Sequence, residues 1–219
     1  MKKKIKTIDL AAVAMFCALA FAAVNLGRFV PNVQGFLSYD PKDAVVVITG
    51  FTFGPFAAFA VSLIVSLIEM VTISSTGAYG LLMNVVSTCA FALPAAFIYK
   101  KDRTLRGAVL GLVTSVFSVA AVMVLWNWII TPLYMGMPRE AVAKMLPTVF
   151  LPFNLIKGGL NAALALLLYK PLVTSLRRMR LLPPSPAGSG RKFNFILPII
   201  AVFALSAFVV LFLLLLGVI

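Results

Sequence analysis

Between residues 150 and 170 the chain reads FLPFNLIKGGLNAALALLLYK. Asn154, Lys157 and Asn161 interrupt this apolar stretch at offsets of three and four, which a helix gathers on one face. An ammonium donates and a carboxamide both donates and accepts, so this set suits recognition of a polar small molecule better than bond breaking. The rest of the chain offers little for catalysis. It has no histidine, which removes imidazole bases, His-based triads and the usual zinc ligands. Asp9, Asp40, Asp43, Glu69, Asp102 and Glu140 are scattered and form no metal-binding cluster. GGLNAAL lacks the GK[ST] ending of a phosphate-binding loop. Cys17 and Cys89 lie inside apolar runs and read as small buried hydrophobes. Neither a metal site, a resident cofactor nor an enzymatic activity is expected.

The elements that must position such polar groups are membrane helices. The chain has 219 residues, of which 62% are apolar and 11% charged, with a mean hydropathy of +1.08. Soluble domains are about 45–50% apolar and about 25% charged. The net charge of +13 lies in short clusters between apolar runs, a pattern that orients a membrane protein and gives no reason to expect nucleic acid. The apolar runs are 8–27, 44–73, 79–99, 107–133, 147–176 and 195–219.

The run 44–73 is too long for one ordinary crossing, and Gly54-Pro55 is a helix-breaking pair inside it. Charge argues for dividing it there. Lys2, Lys3, Lys4 and Lys6, then Lys100, Lys101, Arg103 and Arg106, then Lys170, Arg177, Arg178, Arg180, Arg191 and Lys192 hold 14 of the 19 basic residues. The positive-inside rule places all three clusters in the cytoplasm, which requires an even number of crossings between the first two. The expectation is an all-α integral membrane protein of the cell membrane with a cytoplasmic N-terminus. Its six-helix domain, residues 1–180, has helices at about 8–27, 43–53, 55–73, 79–99, 106–131 and 147–176. A Pro/Gly/Ser linker, 181–194, leads to an additional helix over 195–219. The first apolar run is longer than that of a cleaved signal peptide and reads as a retained helix.

In this topology the strong polar groups within helices, Glu69, Asn84, Asn127, Asn154 and Lys157, all fall in the outer half of the bilayer. A charge at membrane depth costs about 2.5–3.5 kcal/mol on insertion scales, so it faces a cavity or a partner. Glu69 and Asp43 are the expected partners of Lys157. Phe36, Tyr39, Trp126, Trp128, Tyr134 and Phe153 occupy the same level, and aromatic faces with a few amides describe a pocket for a flat, polar-edged molecule. Two blander readings stand beside it: amides and an ion pair that only clamp helices, and tryptophans of the interfacial belt. On the first helix, Ala14, Ala18 and Ala22 recur every four residues and allow close approach by another helix, of this chain or of a partner.

The stretches YDPKD (39–43), GFTFGP (50–55), SLIEMVTISSTGAYGLLMN (66–84), WNWIITPLYMG (126–136) and LPFNLIKGGLNAAL (151–164) resemble the riboflavin-specific S components of energy-coupling factor transporters, in order over roughly 8–176. The resemblance implies a six-helix subunit that captures riboflavin as a transported ligand. It would work with a transmembrane coupling subunit and two cytoplasmic ATPase subunits. It further implies that Ala14, Ala18 and Ala22 meet the coupling subunit and that the loop 28–43 acts as a lid. Asn127, Asn154 and Lys157 would contact the vitamin, with Tyr39, Glu69 and Asn84 completing the site. The linker and last helix are additional to that family's core. The rival readings are the same subunit type for flavin mononucleotide or another vitamin, a structural or assembly membrane protein, and a membrane enzyme acting on lipid, for which the scattered acids are poorly suited.

Overall fold

A computed structural model describes residues 7–181 and 196–218, so Lys2–Lys6 and nearly all of the expected linker 181–194 lie outside the described residues. Eight α-helices are present among the described residues: α1 (Thr7–Gly27), α2 (Lys42–Phe53), α3 (Pro55–Thr72), α4 (Gly77–Lys101), α5 (Leu105–Met135), α6 (Arg139–Met145), α7 (Leu151–Arg178) and α8 (Ile196–Leu216). Six helical stretches are long and apolar enough to cross a bilayer, with Arg139–Arg178 taken as one and α2 not among them.

The break between α2 and α3 sits at Gly54-Pro55. Gly54 has φ 97°, a backbone state that side chains disfavour, and Pro55 opens α3, where its missing N–H has no helical partner to lose. Helix α2 has 12 residues, about 18 Å of rise, well short of a hydrocarbon core of about 30 Å. Its residues Lys42 through Phe51 are all buried, and it packs among α1, α3, α4 and α7. The expected short helix at 43–53 is thus a central strut, and the loop 28–41 descends to meet it. That loop carries a tight turn at Gln34-Gly35, both with positive φ, closed by the pairing of Val33 with Leu37. Its ends are drawn together at Gly27, where a Cβ would come within 2.7 Å of the Pro41 ring and of the Tyr39 carbonyl.

Two boundaries differ from expectation. Helix α5 runs to Met135, where Gly136 ends it in a left-handed conformation. The last core helix does not start at 147. A π-helical turn, Leu146–Phe150, precedes it, with the Leu151 amide bonded to the Leu146 carbonyl. Pro147 lies within this turn and Pro152 just after it, and neither can donate to a regular α ladder.

The loop 28–41, the α3–α4 connection and the α5–α6 connection share one end of the bundle. The opposite end carries Lys100, Lys101, Arg103, Arg177 and Arg178. There Phe51 lies 4.5 Å from the Tyr99 ring, and the Tyr99 and Tyr169 hydroxyls are 3.2 Å apart. The apolar run Ala44–Ile48 fills the middle.

Gly50 marks the closest approach of α2 to its neighbours, since a Cβ there would lie 2.7 Å from the Ala96 methyl and 3.3 Å from that of Ala58. Gly50→Val is expected to destabilise the bundle by roughly 1–3 kcal/mol, read as a lower unfolding midpoint in detergent. An unchanged midpoint would mean that α2 and α4 do not pack this closely.

Candidate functional site

At the loop end the bundle encloses a cavity of about 410 Å³. That volume falls in the range of about 300–1,000 Å³ typical of small-molecule sites. Its walls come from the loop, α1, the ends of α3 and α5, the start of α4, and α7. Phe36, Tyr39, Tyr79, Tyr134 and Phe153 provide flat apolar faces. Tyr79 and Tyr134 sit with centroids 6.4 Å apart and ring planes 32° apart. Arg28, Asn32, Asp40, Glu69, Ser74, Asn84, Ser87 and Lys157 provide polar ones. The Tyr39 hydroxyl is buried and has no hydrogen-bond partner among the described residues.

Beneath the cavity lies a mesh of buried charge. The Lys42 ammonium is fully buried and sits 2.6 Å from both Asp40 Oδ2 and Glu69 Oε1. Asn84 donates to Glu69 Oε2 at 2.6 Å, so both carboxylate oxygens of Glu69 are engaged. Asp43 accepts from the Thr88 hydroxyl at 2.6 Å and lies 3.5 Å from the Lys157 ammonium. Lys157 also approaches the Ser87 hydroxyl at 3.4 Å. Asn161 donates to the Asp40 carbonyl at 3.0 Å and so ties the loop's end to α7. Burial alone would raise the Asp40 carboxyl, but the Lys42 and Lys157 charges and the hydrogen bonds from Lys42 outweigh it and hold Asp40 below the ordinary range.

The six residues expected at the site divide into two groups. Tyr39, Glu69, Asn84 and Lys157 lie on the cavity wall. Asn127 and Asn154 do not. Both are buried, and each donates one turn back along its own helix, Asn127 to the Met123 carbonyl at 2.7 Å and Asn154 to the Phe150 carbonyl at 2.8 Å. The Asn127 oxygen also accepts from Thr131. In a dry interior a carboxamide can share the carbonyl one turn back, whose second lone pair is available, and helical spacing alone does not reveal that choice. Trp126 and Trp128 are also absent from the wall; Trp128 is exposed and Trp126 packs against the core. Of the two partners expected for Lys157, Asp43 is the one it pairs with, and Glu69 is taken by Lys42. Sequence reasoning missed Arg28, Asn32 and Tyr79, which sit in or next to connections whose path only the fold reveals, and Ser87, which lies inside α4 one turn beyond Asn84. Ala14, Ala18 and Ala22 are exposed along one side of α1, away from the cavity.

A bundle of membrane helices with a partly open, polar-floored cavity at one end suits a solute-binding membrane subunit, and the comparisons with known proteins specify which kind. Residues 9–169 match the family described as ECF transporter, substrate-specific component, and the chain belongs to that family. The chain is 28% identical to the riboflavin transporter RibU of Staphylococcus aureus (strain TCH60) over 176 residues, 78% of this chain and 93% of that protein. It is 26% identical to the riboflavin transporter FmnP of Bacillus subtilis (strain 168) over 162 residues, 70% of this chain and 85% of that one. A solved structure described as the S component of a bacterial ECF transporter superposes with a TM-score of 0.66 at 28% identity, covering 78% of this chain and 98% of that chain.

Removing one partner of a buried ion pair strands the other and typically costs about 3–5 kcal/mol. Lys42→Met leaves Asp40 and Glu69 facing each other, so a loss of that order is expected in detergent unfolding. Adding Glu69→Gln to the same chain is expected to restore part of it. If Lys42→Met alone is neutral, the mesh does not hold the loop and α3 together.

Proposed function

We propose that this chain captures riboflavin from outside the cell and presents it for ATP-driven uptake by partner subunits. The observation that carries the reading is Lys157. Its ammonium reaches the cavity floor with contacts of 3.4 and 3.5 Å, at the long limit of hydrogen bonding, so donor capacity remains for a ligand oxygen. The aromatic pair Tyr79–Tyr134, with Phe36 and Phe153, supplies faces for a flat ring system. Asn84, Ser87 and the Tyr39 hydroxyl meet the ligand's polar edge and hydroxyls. Contact from Asn127 or Asn154 requires each carboxamide to leave the carbonyl it now holds.

Orientation follows from charge. The basic clusters at the end opposite the cavity favour the cytoplasm, which turns the mouth outward and puts the start of α1 inside. The dry interior between Ala44 and Ile48 supports a binding subunit that depends on others for movement. The exposed Ala14, Ala18 and Ala22 stripe is the docking face for the transmembrane coupling subunit, which in turn works with two ATPase subunits. Arg28 on the rim favours one second reading, a flavin bearing a phosphate, so the ligand assay includes flavin mononucleotide.

Protein purified from cells grown with riboflavin is expected to be yellow, and titration of ligand-free protein should quench flavin fluorescence. Lys157→Met is expected to weaken riboflavin binding roughly ten- to a hundredfold without unfolding the bundle. Unchanged affinity removes Lys157 from the site, and a colourless protein that quenches neither flavin defeats the reading. Ala18→Trp is expected to leave affinity intact and abolish uptake by cells that contain the partner subunits; normal uptake would move the docking face elsewhere.

A further inference from the structure

The match to the family ends at residue 169, and α8 begins at Ile196, beyond it. Much of α8 faces outward, with Phe203 73% exposed. One face does not. Phe208 lies on α7 at Gly159, where a Cβ would come within 2.3 Å of its ring. One turn further on, Phe212 is only 5% exposed, and its ring centroid is 5.9 Å from that of Tyr39. Val33, Leu37 and Tyr39 from the loop share a single apolar cluster with these two rings.

The loop is therefore held from two sides. Leu37 and Tyr39 are on the cavity wall and also belong to the cluster that contains Phe212. Its ends are fixed, at one side by the Gly27–Pro41 approach and at the other by the bond from Asn161 to the Asp40 carbonyl. The part left to move is the turn around Gln34-Gly35 with its flanks, and moving it disturbs the packing of Val33 and Leu37 in the cluster that holds Phe208 and Phe212. No residue of α8 is on the cavity wall among the described residues, so α8 reaches the site through this loop and through α7, whose Phe153 is on the wall and in the same cluster as Phe212.

We propose that α8 is a strap that holds the loop 28–41 shut over the cavity, with Phe212 setting how readily it opens. The proposal rests on the riboflavin reading only for what the closed cavity retains. Two measurements on the full chain test it. In the first, riboflavin release is followed by fluorescence after a chase. In the second, Val33→Cys is placed in parent and variants, and its labelling by a membrane-impermeant maleimide is timed without ligand; Cys17 and Cys89, inside α1 and α4, are common background. Phe212→Ala is expected to speed both release and labelling by roughly three- to tenfold, as removal of one aromatic pairing would. Phe203→Ala, on the outward face, is expected to change neither. Should Phe212→Ala fold poorly, Phe212→Leu keeps the bulk and is expected to move both rates the same way by less. Labelling within about twofold of the parent in the folded Phe212 variant overturns the strap. If the parent binds no riboflavin, the ligand reading falls alone, and the labelling rates still decide this proposal.

Discussion

The interaction on which the rest depends is the ammonium of Lys42, sealed from solvent and gripped at 2.6 Å by Asp40 and by Glu69. An unpaired charge at that depth would cost several kcal/mol, so its position is set only when a loop, α2 and α3 come together correctly. Asp40 lies at the end of the loop that forms a cavity wall, and Glu69 lies near the end of α3 with its second oxygen held by Asn84 on α4. One cation thus fixes the register of three helices and the anchor point of a loop. The second cation, Lys157, is held less tightly, at 3.5 Å from Asp43. The contrast separates a lysine whose donors are committed to structure from one with donor capacity to spare.

How a dry bundle holds so polar a floor follows from the path of α2. A helix of 12 residues is too short to cross the hydrocarbon, so the segment before it has to enter the bundle. The loop 28–41 does this, and its backbone groups would be strongly destabilising in lipid if the surrounding helices did not enclose them. Enclosure makes a cavity almost unavoidable at that level, because an irregular segment cannot interdigitate as densely as helices do. Below it, packing is close: Gly50 admits Ala96, and Phe51 closes on Tyr99. The recess and the seal are two consequences of one short helix.

Much of this is legible in the residues themselves. Gly54-Pro55 announces a break because its causes are local: a positive φ and a missing donor. The polar character of the loop-end half and the placing of Lys157 and Asn84 follow from helical spacing and from the cost of burying charge, whereas spacing marks the alanine stripe of α1 without telling whether this chain covers it. What remained hidden depends on partners distant in the chain. Lys42 reads as a spare base near the pocket until the fold delivers Glu69, 27 residues away, to its ammonium. Asn127 and Asn154 read as ligand groups, yet each has a carbonyl four residues back within reach, and periodicity cannot weigh that local bond against a cavity. The π turn at Leu146–Phe150 depends on two prolines whose joint effect on the ladder emerges only in three dimensions.

The additional helix brings these points together. The charge mesh holds only one end of the loop, at Asp40 and Lys42, and leaves the rest without a charged anchor, as the proposed opening over the cavity requires. The turn around Gln34-Gly35 has no ion pair among the described residues, and Val33 and Leu37 beside it share an apolar cluster with Phe153, Ile156 and Leu160 of α7 and Phe208 and Phe212 of α8. Apolar contacts suit a moving part, since they are non-directional and separate by small steps, whereas a buried ion pair opens only at the full penalty of an unpaired charge. Division of labour between a charged hinge and an apolar latch is thus what the dielectric of the surroundings favours. It also explains why a helix with hardly a polar atom can bear on a polar site it never touches.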